Sequence, residues 1–129
     1  MYIHVNPNPN GMYVEDCVVR AICIATGRSW DDVYLHLCLE GFIMKNMPSV
    51  NNVWGTYLKS IGFVQHSLPT DCPNCYTVRD FCSENRNGIY ILATGSHVVA
   101  AVDGNYCDAW DSGDEMLVAV WRRENYARV

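Results

Sequence analysis

The chain has 129 residues, half of them hydrophobic and fewer than a fifth charged, which suits one folded domain with a modest core and argues against disorder. Its formal charge is −5 and it carries no run of Lys or Arg, so neither nucleic acid nor a membrane surface is expected as a partner. Seven cysteines fit a reducing compartment better than a disulfide framework. The start, Met1-Tyr2-Ile3-His4, has no basic and apolar leader pattern, and no stretch reaches membrane-spanning length. A cytoplasmic protein is therefore expected.

Residues 6–11, Asn-Pro-Asn-Pro-Asn-Gly, predict a loop, because each proline pushes the preceding asparagine out of the helical region. A first helix follows. Glu15 and Asp16 suit its opening turn, residues 18–25 its apolar body, and Gly27 its end. Ser29 caps a second helix with Asp31 and Asp32 in its first turn; Trp30, Val33, Tyr34, Leu37 and Cys38 share a face, and Gly41 is its expected stop. Ser49 is the expected cap of a third, in which Val50, Val53, Trp54, Tyr57, Leu58 and Ile61 form a core stripe ending at Gly62.

Residues 63–76 read as a loop with at most a short strand. Thr77 then opens a fourth helix with Asp80 in the capping-box position and Gly88 as its close. From Ile89 the pattern changes. Segments 89–94, 97–102, 105–110 and 115–122 are rich in Val, Ile, Tyr, Trp and Ala, and Gly95-Ser96, Asp103-Gly104 and Ser112-Gly113 separate them. They predict a four-stranded antiparallel meander. Helices first and sheet second give an α+β fold, with N-terminal helices packed on a C-terminal antiparallel sheet.

Cys17 would stand at the positive end of a helix dipole, where a thiol pKa falls and the thiolate becomes nucleophilic. A thiolate nucleophile also needs an imidazole in reach and an acid or amide to orient that imidazole. His97, opening a predicted strand, and an aspartate on the next strand supply both. A two-residue turn at Asp103-Gly104 pairs His97 with Trp110 and leaves Asp108 diagonal on the same face. A three-residue loop with a bulge instead sets Asp111 opposite His97.

These stretches, Asp16-Cys17 on a helix start, Gly95-Ser96-His97-Val98-Val99 on a strand and an acid one hairpin later, resemble the papain-like cysteine peptidases. The small bacterial and phage forms, such as bacteriocin-processing peptidases and NlpC-type cell-wall amidases, are similar in size. Trp110-Asp111-Ser112-Gly113 is similar to papain's Asn-Ser-Trp-Gly with the tryptophan on the other side. The resemblance implies a minimal papain-like fold and a thiol hydrolase, peptidase or amidase, that acts on peptides or other amides through an acyl-enzyme. No cofactor is implied. The family's spacing favours Asp111 over Asp108 as the partner of His97. The glutamine that usually completes the oxyanion hole is missing; Asn10 is the nearest amide, with Asn8 second, and Val18 stands where Gly or Trp is common.

Two rival readings accompany this one. A papain-like domain without activity would bind a peptide or protein through the same surface. Alternatively Cys72-Pro73-Asn74-Cys75, with His66 and Cys82 nearby, has the spacing of a zinc knuckle, although a single Cys-x-x-Cys is a weak signal.

Overall fold

The computed structural model describes residues 1–68 and 76–124. Four helices and a six-stranded mixed sheet follow one another as β1 (Tyr2–His4), α1 (Cys17–Thr26), α2 (Trp30–Met44), α3 (Asn51–Ser60), β2 (Phe63–His66), α4 (Val78–Glu84), β3 (Ile89–Thr94), β4 (Val98–Val102), β5 (Asn105–Asp108) and β6 (Leu117–Arg123). The class is α+β.

Alternation along the central strands decides what covers the sheet. Ile91, Ala93, Val98 and Ala100 face α1, α2 and α3, where Ile22, Leu37, Trp54 and Leu58 close one core. Their neighbours Leu92, Val99 and Ala101 face the other way and meet Val78 and Phe81 of α4. A fully buried side chain such as Ile91 or Leu92 contributes about 1.5–3 kcal/mol. Helices therefore lie on both faces of the sheet, three against one.

The strand order is β1-β5-β4-β3-β6-β2, so the four-stranded meander holds only for β3, β4 and β5. The last strand returns to the far side of β3. The cause is the chain between β5 and β6, which is fastened to the start of α4: Val78 N–H donates to Glu115 O and Arg79 N–H to Gly113 O, both at 3.0 Å. The open edge of β5 is taken instead by β1, which pairs in parallel with Tyr2 against Tyr106 and His4 against Asp108. That three-residue strand carries too little pattern to be seen in the sequence.

Helix limits follow the local chemistry with three corrections. Gly27 ends α1 with φ 75°, and Thr77 and Asp80 form the expected capping box on α4. Gly41 does not end α2. It lies inside the helix, where a Cβ would stand 2.6 Å from Asn46 O, and Lys45 makes the left-handed stop at φ 58°. Val50, not Ser49, caps α3, its carbonyl accepting the N–H of Val53 at 2.9 Å. Helix α4 stops at Asn85, and Gly88 instead serves the turn into β3, donating its N–H to Asp103 Oδ1 at 2.9 Å. Among the described residues no helix is long and apolar enough to cross a membrane.

Candidate active site

Cys17 is the first residue of α1 and half-buried. It lines a cleft of about 580 Å³ between the start of α1, the β3–β4 turn, α2 and the start of α3. Asp16 precedes it but makes no capping bond. Its carboxylate turns inward, accepts Trp30 Nε1–H at 2.9 Å and Asn8 Nδ2–H at 3.4 Å, and pairs with Arg20. The first-turn N–H groups of α1 are thus left without a carboxylate cap, next to the thiol. That is a setting which favours negative charge on sulfur.

His97 sits at the rim because the Gly95-Ser96 turn folds back: its carbonyl accepts Thr94 N–H at 2.8 Å. The ring is buried, stacks on Trp110 with centroids 4.7 Å apart, and meets Asp108 Oδ2 through Nε2 at 2.5 Å. The Cys17 thiol shares the cleft wall with the ring, and each shifts the protonation of the other. Burial alone would pull the imidazole pKa down. The bonds to Asp108 and Cys17, with their negative charge, outweigh it and raise the pKa to about 9. For the thiol, burial works upward, but the His97 bond, the Val98 backbone N–H and the charges of His97 and Arg20 bring its pKa below the ordinary value.

Asp108, the last residue of β5, is 2 % exposed. One oxygen accepts Ala109 N–H at 2.7 Å, and the other accepts the Ser112 hydroxyl at 2.9 Å besides facing His97. Arg20 Nη2 stands 3.4 Å away. Burial opposes its charge, yet the His97 bond and charge, with the Ala109 and Ser112 donors, leave its pKa lowered.

Asp111, which the family spacing favoured, does not face His97. It is exposed and accepts the Tyr106 hydroxyl at 2.8 Å and Gly113 N–H at 3.0 Å, with Arg79 3.7 Å away. The turn decides this. Val102 pairs with Asn105, and Asp103 and Gly104 both take positive φ, 50° and 85°, as a two-residue primed turn requires. Continuing that register brings Trp110 to His97 and carries Asp111 past it.

Asn10 is likewise displaced: it is exposed and takes no part in the cleft wall. Asn8 spends its side-chain oxygen on the N–H groups of Asn10 (2.9 Å) and Met12 (3.4 Å), shaping the loop, and its amide nitrogen on Asp16.

Arg20 is the residue that the sequence reading missed. It is 2 % exposed, bridges Asp16 and Asp108, donates to Val14 O at 3.3 Å and lies 5.1 Å over the Trp110 ring. A cation four residues after an acid, inside the apolar run 18–25, was the available signal.

The other sequence candidates lie apart from this site. Cys72 and Cys75 fall outside the described residues. Cys82 is buried against the sheet, its thiol pushed up by burial to about 11, and His66 pairs with Glu124 at 2.9 Å. Among the described residues no group of three or more His, Cys, Asp or Glu could hold a metal ion. No protein-family model, no curated protein and no solved structure matches the chain.

Proposed function

We propose that the protein is a cysteine-dependent hydrolase of amide bonds, a peptidase or amidase, in which Cys17 is the nucleophile, His97 the general acid and base, and Asp108 the residue that orients His97. One observation carries the reading: Cys17 and His97 share the wall of an open cleft and shift each other's pKa, with the His97 ring bound to Asp108 behind it. The order of parts, thiol on a helix start, imidazole on the sheet behind it and acid on the neighbouring strand, supports a papain-like kinship. The free thiols of Cys17, Cys23, Cys38, Cys82 and Cys107 support a reducing, cytoplasmic setting.

The chemistry runs in two halves. The Cys17 thiolate attacks the substrate carbonyl carbon, and the oxyanion faces the first-turn N–H groups of α1. The C–N bond then breaks, His97 gives its proton to the departing amine, and a thioester to Cys17 remains. Neutral His97 next takes a proton from water, whose oxygen attacks the thioester carbon. The C–S bond breaks, the acid leaves and the thiolate–imidazolium pair is restored. Asp108 stays ionised throughout and fixes the ring.

Because Asn10 lies outside the cleft, a domain of this shape that binds peptides without cleaving them is the competing reading. Iodoacetamide at pH 6 separates the two. An activated Cys17 is alkylated well ahead of Cys23 and Cys82, whose buried thiols are both pushed up to about 11. Equal labelling of the thiols in the folded protein would favour the binder. A peptide-library digest that Cys17→Ala abolishes completes the case.

A further inference from the structure

Helix α2 carries two apolar seams, and among the described residues only one of them is covered. Val33, Leu37 and Gly41 face the core. Directly opposite, Leu35, Leu39, Phe42 and Ile43 recur at helical spacing, each more than half exposed, and Met47 continues the row past the helix end. At roughly 150–200 Å² a side chain, with 54–69 % of each exposed, the five leave about 500–600 Å² of apolar surface, the upper limit of what a monomer leaves open. A helix with two apolar seams needs two partners.

We propose that the second seam is covered by another copy of this chain, through α2 packed antiparallel on itself about a two-fold axis at Leu39. The stripe is symmetric about that residue, so Leu35 of each copy meets Phe42 and Ile43 of the other. An isologous contact requires that reciprocity. Charge selects the antiparallel sense. Asp31 in the first turn and Lys45 at the C-cap lie on the same flank of the stripe at opposite ends. Reversal sets Asp31 of each copy at the height of Lys45 of the partner subunit. The Lys45 ammonium already lies at the edge of the seam, 4.1 Å over the Phe42 ring. A parallel pair would oppose Asp31 to Asp31 and like helix ends to each other.

Two such surfaces with their polar rim reach the roughly 1,200 Å² at which stable interfaces begin. Phe42 also borders a groove of about 460 Å³ with Gly41, Met47, Cys38 and Pro48, and the last two line the cleft of Cys17 as well. The partner copy would therefore stand beside the cleft. The acids Asp31, Asp32 and Glu40 along the same helix, and the charge of −5, speak against an anionic lipid surface as the occupant.

Sedimentation velocity of the full chain over a dilution series is the test, and it does not depend on any activity. The wild type is expected to be a dimer at micromolar concentration. Leu39→Glu sets acid against acid on the axis and raises the dissociation constant on the order of 100-fold or more, with circular dichroism unchanged. Lys45→Glu weakens the dimer, and Asp31→Lys with Lys45→Glu restores it. A monomeric wild type, a dimer indifferent to Leu39→Glu, or a charge swap that restores nothing would each overturn the proposal. So would a monomer that co-sediments with phosphatidylcholine vesicles, since lipid would then be the cover.

Discussion

Two aspartates three residues apart on the same stretch of chain meet opposite environments. Asp108 is buried with His97, Ser112, Ala109 N–H and Arg20 around it, while Asp111 is exposed with Tyr106, Gly113 N–H and Arg79. Each has an arginine, a hydroxyl donor and a backbone N–H. What differs is water. Around Asp111 solvent screens every charge, so the cluster with Arg79 and Asp114 shapes a surface loop and little more. Around Asp108 the low dielectric makes the same kind of partner decide whether an imidazole carries a proton.

The largest effect that could break this comparison is catalytic. Asp108→Asn should lower hydrolysis roughly a thousand-fold to ten-thousand-fold, because the ring loses the anion that fixes its tautomer. Asp111→Asn should leave the rate near wild type. Steady-state rates on one substrate decide it, and a comparable loss in both variants would return the role to Asp111.

The arginines come next. Arg20→Met leaves Asp16 buried without its cation and Asp108 with His97 alone, at a cost of about 3–5 kcal/mol in stability. Arg79→Met should leave the urea midpoint close to wild type. Equal midpoints for the two variants would show that burial does not separate the clusters.

The smallest effect is in pH. The folded-state pKa of His97 is raised from 6.5 to about 9, so its protonated form is favoured by folding. That contribution is fully present below pH 6.5 and is lost as pH rises through about 9. Urea unfolding across this range should show the decline in wild type and not in His97→Asn. Imidazole NMR should find the titration near 9, moving lower in Cys17→Ala, where one of the groups holding the proton is gone.

Much of the scaffold was legible because it rests on local rules. Gly27, the Thr77–Asp80 capping box and the Asp103-Gly104 turn each act within a few residues. The Cys17 and His97 meeting was readable only as a pattern of residue types, since eighty residues separate the two. What escaped was set by distant contacts. Gly41 resembles a helix stop until Asn46 folds back on it, and β6 leaves the meander because α4 holds the preceding loop. In choosing between Asp108 and Asp111, turn chemistry in this chain outweighed the spacing of a family. Arg20 was overlooked because a cation in an apolar helix has meaning only once its two acids are in view.

The edge strand β1 has a consequence for how the molecule comes into being. Val5 N–H and the Tyr2 hydroxyl both hold the carbonyl of Asp108, at 2.8 and 3.2 Å, so residues far upstream in the chain brace the acid that meets His97. They can do so only after residue 108 has emerged, which makes this among the longest closures in the chain. A growing polypeptide exposes Cys17 early but sets His97 and Asp108 around it late. The surroundings that lower the thiol pKa are thus absent until the fold is nearly whole.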